Sequence, residues 1–152
     1  MRSNTELGLN AQAGKKTIMK VSVETTIAAP IARVWEAFTT PGDIVQWNFA
    51  SDDWCCPGAE VDLRIGGTYT ARMEAKDGSF GFDFEGLYEE VSQYRAITLA
   101  MSDGRKARTS FEQTGKTTRV TTVFDAETEN SVEMQRDGWQ AILDNFRRHV
   151  ES

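Results

Sequence analysis

Two short stretches of this chain hold side chains that could do chemistry. The first is Phe82-Asp83-Phe84-Glu85, where acids alternate with aromatics. Successive side chains of an extended strand point to opposite faces. Inward aromatics therefore put Asp83 and Glu85 in water, where unpaired carboxylates are usually found. Gly86 follows at once and is a candidate bulge or bend, and a bulge there would flip the register and turn Glu85 inward as a polar cavity group. An enclosed carboxyl has a raised pKa and can serve as acid or base. Both orientations of Glu85 stay open on the residues alone. Arg64, Arg72 and Glu74 read as cross-strand surface pairs.

The second stretch is Asp52-Asp53-Trp54-Cys55-Cys56. A thiolate nucleophile needs a base, commonly histidine. The only histidine is His149, near the end of the last predicted helix and expected to face solvent. Structural zinc takes four ligands, and the chain offers three Cys and His residues in all. Packed, reduced thiols are the simpler reading, because a disulfide between neighbours closes a strained ring. No Gly-rich phosphate loop, nucleophile elbow or His-Glu-x-x-His helix is present. The reading is thus no catalytic residue, no metal and no cofactor.

A third group is apolar. Trp54, Tyr69, Met73, Phe82, Phe84, Phe111, Trp139 and Phe146 fall on strands, a loop and a helix expected to face one another. Aromatics with methionine make a lining that adapts to different apolar ligands. The same side chains could equally fill a solid core, and their spacing does not separate the two cases.

The elements that position these groups follow from periodicity. Residues 1–18 are polar and aperiodic and read as a flexible tail, with Met19 a candidate natural start. Residues 20–27 alternate as a strand, Val21, Val23, Thr25 and Ile27 on one face. Pro30 opens a helix with Ile31, Val34, Trp35 and Phe38 on its core side. Thr40-Pro41-Gly42-Asp43 begins a second short helix through Trp47. Residues 48–60 read as a loop. Strands are expected at 61–65, 68–75, 80–91, 94–101, 106–113 and 117–124, joined by turns such as Asp77-Gly78. Ser131 caps a long final helix with Met134, Trp139, Ile142, Leu143, Phe146 and Val150 along one stripe. The order is strand, two helices, six strands, one long helix, so residues 19–152 form a single α+β domain.

That order and five residue groups resemble a known family. Ala29-Pro30 through Val34-Trp35, Pro41 with Trp47, Asp62-Leu63-Arg64-Ile65-Gly66-Gly67, Glu85-Gly86 and Gly138-Trp139 occur in sequence. They resemble the SRPBCC superfamily of START-like and pollen-allergen-like proteins. Within it they are similar to the C-terminal domain of activators of the 90-kDa heat-shock-protein ATPase. The resemblance implies a helix-grip fold: a seven-stranded curved antiparallel sheet around the last helix, with a cavity between. It implies no single activity, since such folds host carriers, receptors, cyclases and co-chaperone domains.

Composition narrows the partners. The 152 residues are 39% hydrophobic and 26% charged, ordinary for a globular protein, and the net charge is −6. An acidic chain is poorly suited to phosphate backbones or anionic lipid, so neither nucleic acid nor membrane is expected. No apolar run approaches the roughly 20 residues needed to span a bilayer, and the first 20 residues lack the apolar core of a secretory signal. Two reduced cysteines fit the cytoplasm. The expected function is binding of a small hydrophobic or aromatic ligand. The alternatives are a protein-interaction module assisting a 90-kDa chaperone, as the resemblance implies, and a cyclase-like enzyme using Glu85 or Asp83.

Overall fold

The structure, a computed structural model, describes residues 18–152. The expected tail up to residue 17 lies outside the described residues. Strand β1 (Lys20–Ile27) buries Val21, Val23 and Ile27, with Thr25 partly buried on the same face, and exposes Ser22, Glu24 and Thr26, as alternation requires. Helix α1 (Ile31–Thr39) follows Pro30, which stands at the N-cap. Val34 and Trp35 are buried, and Ile31 and Phe38 are partly buried on the same side. Helix α2 (Pro41–Trp47) begins one residue later, with Pro41 in its first turn where no N–H is needed. Thr40 closes one helix and opens the next. Its N–H donates to the Glu36 carbonyl, and its own carbonyl accepts from the Asp43 and Ile44 N–H groups.

The remaining strands are β2 (Trp54–Val61), β3 (Thr68–Ala75), β4 (Gly81–Ser92), β5 (Ala96–Met101), β6 (Lys106–Thr114) and β7 (Thr117–Asp125), and helix α3 (Val132–Glu151) ends the fold. The strands form one antiparallel sheet in the order β1-β7-β6-β5-β4-β3-β2. The sheet curves as a half-barrel with α3 laid in its concave side, a helix-grip architecture. Inward residues of the central strands face the helix. On β3, next to the edge, Tyr69, Ala71 and Met73 share the inward face, with Tyr69 and Ala71 buried, matching the alternation of 68–75.

Three expectations need correction. The segment expected as a loop over 48–60 contains strand β2, and the strand expected at 61–65 is mostly the turn that follows it. Pro57 misleads because it cannot join a ladder. Here it sits in a bulge on an edge strand: Cys55 pairs with Glu74 and Gly58 with Arg72, so Cys56 and Pro57 together oppose Met73. The bulge expected at Gly86 lies instead between Tyr88 and Glu90. Gly86 stays in register, opposite Tyr69 and Met101. Met134 is not part of the buried stripe; it is 62% exposed, and Gln135 takes the inward position.

Gln135 is inward because it braces the link from β7 to α3. Its side-chain oxygen accepts from the Glu127 N–H at 2.8 Å, and its amide nitrogen donates to the carbonyls of Glu127 at 3.0 Å and Asn130 at 2.9 Å. Ser131 caps α3 as the sequence predicts, its hydroxyl accepting from the Met134 N–H at 3.1 Å. The Asp62–Gly67 turn is equally specific. A Cβ at Gly67 would lie 2.1 Å from the Asp62 carbonyl oxygen, so no other residue fits without moving the backbone.

Candidate functional site: an apolar cavity under the last helix

Two groups of aromatics form on the concave face. One is a solid plug. Phe38 lies parallel to Trp47 with centroids 5.5 Å apart, and Phe146 meets both edge-on at 5.4 and 4.8 Å. Phe111 closes on Phe38 and on Trp35. The Trp47 indole N–H donates to the Ala37 carbonyl at 2.9 Å, and the Asn145 side chain donates to the Trp47 carbonyl at 2.9 Å. These contacts pin α1, α2 and α3 together at one end.

Beyond the plug the helix and sheet separate, leaving a cavity of about 360 Å³. Its floor is made by β3 to β6 through Met73, Phe84, Tyr88, Leu99 and Ala107, and its roof by Trp139, Ile142 and Leu143 of α3. Of the residues expected to line it, Tyr69, Met73, Phe82, Phe84 and Trp139 do border this space. Phe111 and Phe146 belong to the plug. Trp54 does not line it; it is half-buried and edge-on to Phe80 and Phe82 at 6.0 and 6.2 Å. Phe82 is 42% exposed and marks the rim.

Glu85 is not a cavity group. It pairs across the ladder with Thr70 and points to the exposed face, because Phe82 and Phe84 point inward and no bulge intervenes. Asp83 is on the same outer face, 3.5 Å from the Arg72 guanidinium, with Glu74 2.9 Å from the same side chain. Neither acid reaches the cavity, so neither can act as acid or base on a molecule held there.

The polar groups that do border the cavity come from residues that carry no motif. Asn48, just after α2, donates to the Tyr69 phenol oxygen at 3.3 Å and lies 3.8 Å from the Met73 sulfur. The hydroxyls of Thr109 and Thr122 share a buried hydrogen bond at 2.8 Å across β6 and β7. Arg105 from the turn between β5 and β6, Glu127 from the link after β7 and Gln135 of α3 also line it. Burial pushes the phenols of Tyr69 and Tyr88 above their ordinary range, so both stay protonated near neutral pH. A faint signal for the threonines was present: Thr118 and Thr122 alternate with Val120 and Phe124 on the inward side of β7. Nothing local marked Asn48 or Tyr88.

Cys55 and Cys56 are free. Cys56 is buried, its thiol directed to the Gly58 carbonyl at 3.5 Å, and burial raises its pKa, which suits a packing role. His149 corrects another expectation. It does not stand in solvent; its Nε2 lies 2.8 Å from Asp43 Oδ1, with 20% of the side chain exposed. Arg33 approaches the same carboxylate at 3.2 Å. Burial works against ionisation of Asp43, but the hydrogen bonds with His149 and Arg33 outweigh it and hold its carboxyl below the ordinary range. This cluster joins the start of α2 to the end of α3.

A curved antiparallel sheet gripping a terminal helix over an apolar cavity defines the helix-grip class of the SRPBCC superfamily. The chain belongs to the family of Activator of Hsp90 ATPase homolog 1-like proteins, whose pattern matches residues 28–151. It is similar to an AHSA1-like protein from Aeromonas hydrophila at 44% identity, over 88% of this chain and 92% of that one, with a TM-score of 0.83. A protein from Cytophaga hutchinsonii is 45% identical over 87% and 92% of the two chains, with a TM-score of 0.76. A protein from Chromobacterium violaceum, 21% identical over 88% and 99%, shares the fold with a TM-score of 0.79. Among curated proteins there is no match. Among the described residues, no helix is long and apolar enough to cross a membrane.

Proposed function

We propose that the chain binds a small hydrophobic or aromatic molecule between the sheet and α3. The observation that carries this reading is the cavity itself. Its volume of about 360 Å³ lies within the roughly 300–1,000 Å³ range typical of small-molecule sites. Interiors normally close-pack, and an unfilled apolar space of this size forfeits dispersion contacts along every wall. Folds of this family commonly bind hydrophobic ligands. The free cysteines fit a cytoplasmic setting for that role.

Titration with N-phenylnaphthylamine, an uncharged probe that fluoresces in apolar surroundings, tests the proposal. Saturable one-to-one binding, lost in Leu99→Trp, is the expected result. No saturable binding to the folded protein would overturn it. Native mass spectrometry of protein purified gently from its own host would then identify the natural occupant.

A second reading, an interaction module for a 90-kDa chaperone, is favoured by the Trp54, Phe80 and Phe82 cluster. Phe80 is 60% exposed there, and exposed aromatic clusters mark contact surfaces. Recovery of the chaperone with the wild-type chain and not with Phe80→Ser would support it. Repeated failure to recover the chaperone would count against it.

A further inference from the structure

The cavity holds two phenol donors that no described residue uses. Tyr69 and Tyr88 both border it, 8% and 3% exposed, with rings edge-on and centroids 6.3 Å apart. A phenol has one proton to donate and an oxygen that accepts. The Tyr69 oxygen already accepts from Asn48, and its proton meets no acceptor among the described residues. The Tyr88 hydroxyl has no hydrogen-bond partner among the described residues. Buried hydroxyls are normally paired, and each one left unpaired costs stability. Phenylalanine would serve a purely apolar wall better, as Phe84 does beside Tyr69 with centroids 6.0 Å apart.

The charges around the cavity point the same way. Among the described residues that line it, Arg105 and Glu127 are the charged ones, and both are partly exposed. Each is already engaged. The Arg105 guanidinium lies 2.6 Å from Asp103, and the Glu127 carboxylate accepts from the N–H groups of Glu129 and Asn130. Among the described residues no cation acts on either tyrosine. The one charge felt there is the Asp62 carboxylate near Tyr88, which would repel a second anion whose desolvation already goes uncompensated.

We propose that the deep part of this cavity receives an acceptor oxygen, such as a carbonyl, on an otherwise apolar and uncharged ligand, with Tyr69 and Tyr88 as its donors. This rests on the ligand-binding reading above and names the ligand class. Both phenols remain protonated across the neutral range, since burial raises their pKa, so they act as donors there.

Three matched probes separate the possibilities. Propionyl-dimethylaminonaphthalene is a neutral ketone whose emission shifts to the red when its carbonyl accepts a hydrogen bond. Its propyl analogue lacks the oxygen, and dimethylamino-naphthoate carries a full negative charge. The ketone is expected to bind the wild-type chain about tenfold more tightly than the propyl analogue, the factor one good hydrogen bond provides. The naphthoate is expected to bind most weakly. Tyr69→Phe and Tyr88→Phe should each weaken the ketone about three- to tenfold and move its bound emission to the blue. Affinity for the propyl analogue should not change. Equal affinity for ketone and propyl analogue on the wild-type protein would overturn this inference while leaving apolar binding intact. So would tightest binding of the naphthoate. Failure of all three probes would overturn both. The wild-type comparison decides the matter even if a variant folds poorly.

Discussion

The indole of Trp139 lies flat on the ring of Phe124, with centroids 4.3 Å apart and planes 9° from parallel. Phe124 is 1% exposed on β7, and Trp139 stands one turn beyond Gln135 on the inward side of α3. The stack fixes the height of the helix above the sheet, and one edge of the cavity begins where it ends.

Trp139→Ala should therefore act twice. Loss of a half-buried tryptophan is expected to cost about 2–3 kcal/mol, below the roughly 3–5 kcal/mol of a fully buried one. It should also weaken binding of apolar probes by removing part of the roof. Urea unfolding and probe titration on one preparation check both effects, and Trp139→Phe should recover most of the stability.

Plug and cavity aromatics should respond differently to truncation. Phe111, packed against Trp35 and Phe38, is expected to cost about 3–5 kcal/mol as alanine. Phe84 already borders open space and should cost about half as much, because fewer contacts are lost. Equal losses in denaturant melts would indicate that the cavity is closed in solution.

Ala107→Leu offers the converse test. Ala107 borders the cavity from β6 with 7% of its surface exposed. Overfilling a close-packed core typically costs about 1–3 kcal/mol. Filling an existing space should leave the melting temperature unchanged or raise it, while lowering affinity for apolar probes.

The Asp43 cluster should make the chain acid-sensitive. Asp43 has a lowered pKa in the folded state, so the unfolded state binds the proton more readily. Its contribution is present in full above the ordinary carboxylate pKa, about 3.9, and is lost as pH falls through the lower folded value. Asp125 behaves alike: burial opposes its ionisation, but bonds from the Lys20 ammonium and the Lys106 N–H prevail. Stability should therefore fall below about pH 4. Asp43→Asn should cost about 1–2 kcal/mol at neutral pH and flatten that part of the profile in pH-dependent chemical unfolding.

Gln135→Ala removes three hydrogen bonds that hold the 127–130 link. A loss of about 2–3 kcal/mol is expected, with faster amide exchange at Glu127. Gln135→Glu would keep the acceptor and lose two donors, so it should restore only part of the stability.

Much of the architecture could be read from local pattern, because alternation and capping are properties of neighbouring residues. The strand at 68–75, the Pro30 and Pro41 helix starts and the Ser131 cap all depend on side chains within a few positions of one another. Errors fell where a distant partner overrode the local signal. Pro57 suggested a loop, yet β3 supplies a ladder that tolerates it through a bulge at the edge. Gly86 suggested a bulge, yet the irregularity sits at Glu89, where β4 changes register against β5.

The candidate site divides along the same line. Which aromatics point inward was determined by the sequence, since strand and helix periods set each side chain's face. Whether those aromatics meet or stand apart was decided only in the tertiary structure. Phe111 and Phe146 close on Phe38 and Trp47, while Met73, Phe84 and Tyr88 do not reach α3. The difference is the distance between helix and sheet, set by the Trp139–Phe124 stack, the Asn145 bond to Trp47 and the His149–Asp43 contact. Those pairs join residues from 15 to 106 positions apart. The three that hold α3 against β7 and α2 therefore leave no mark in either periodicity.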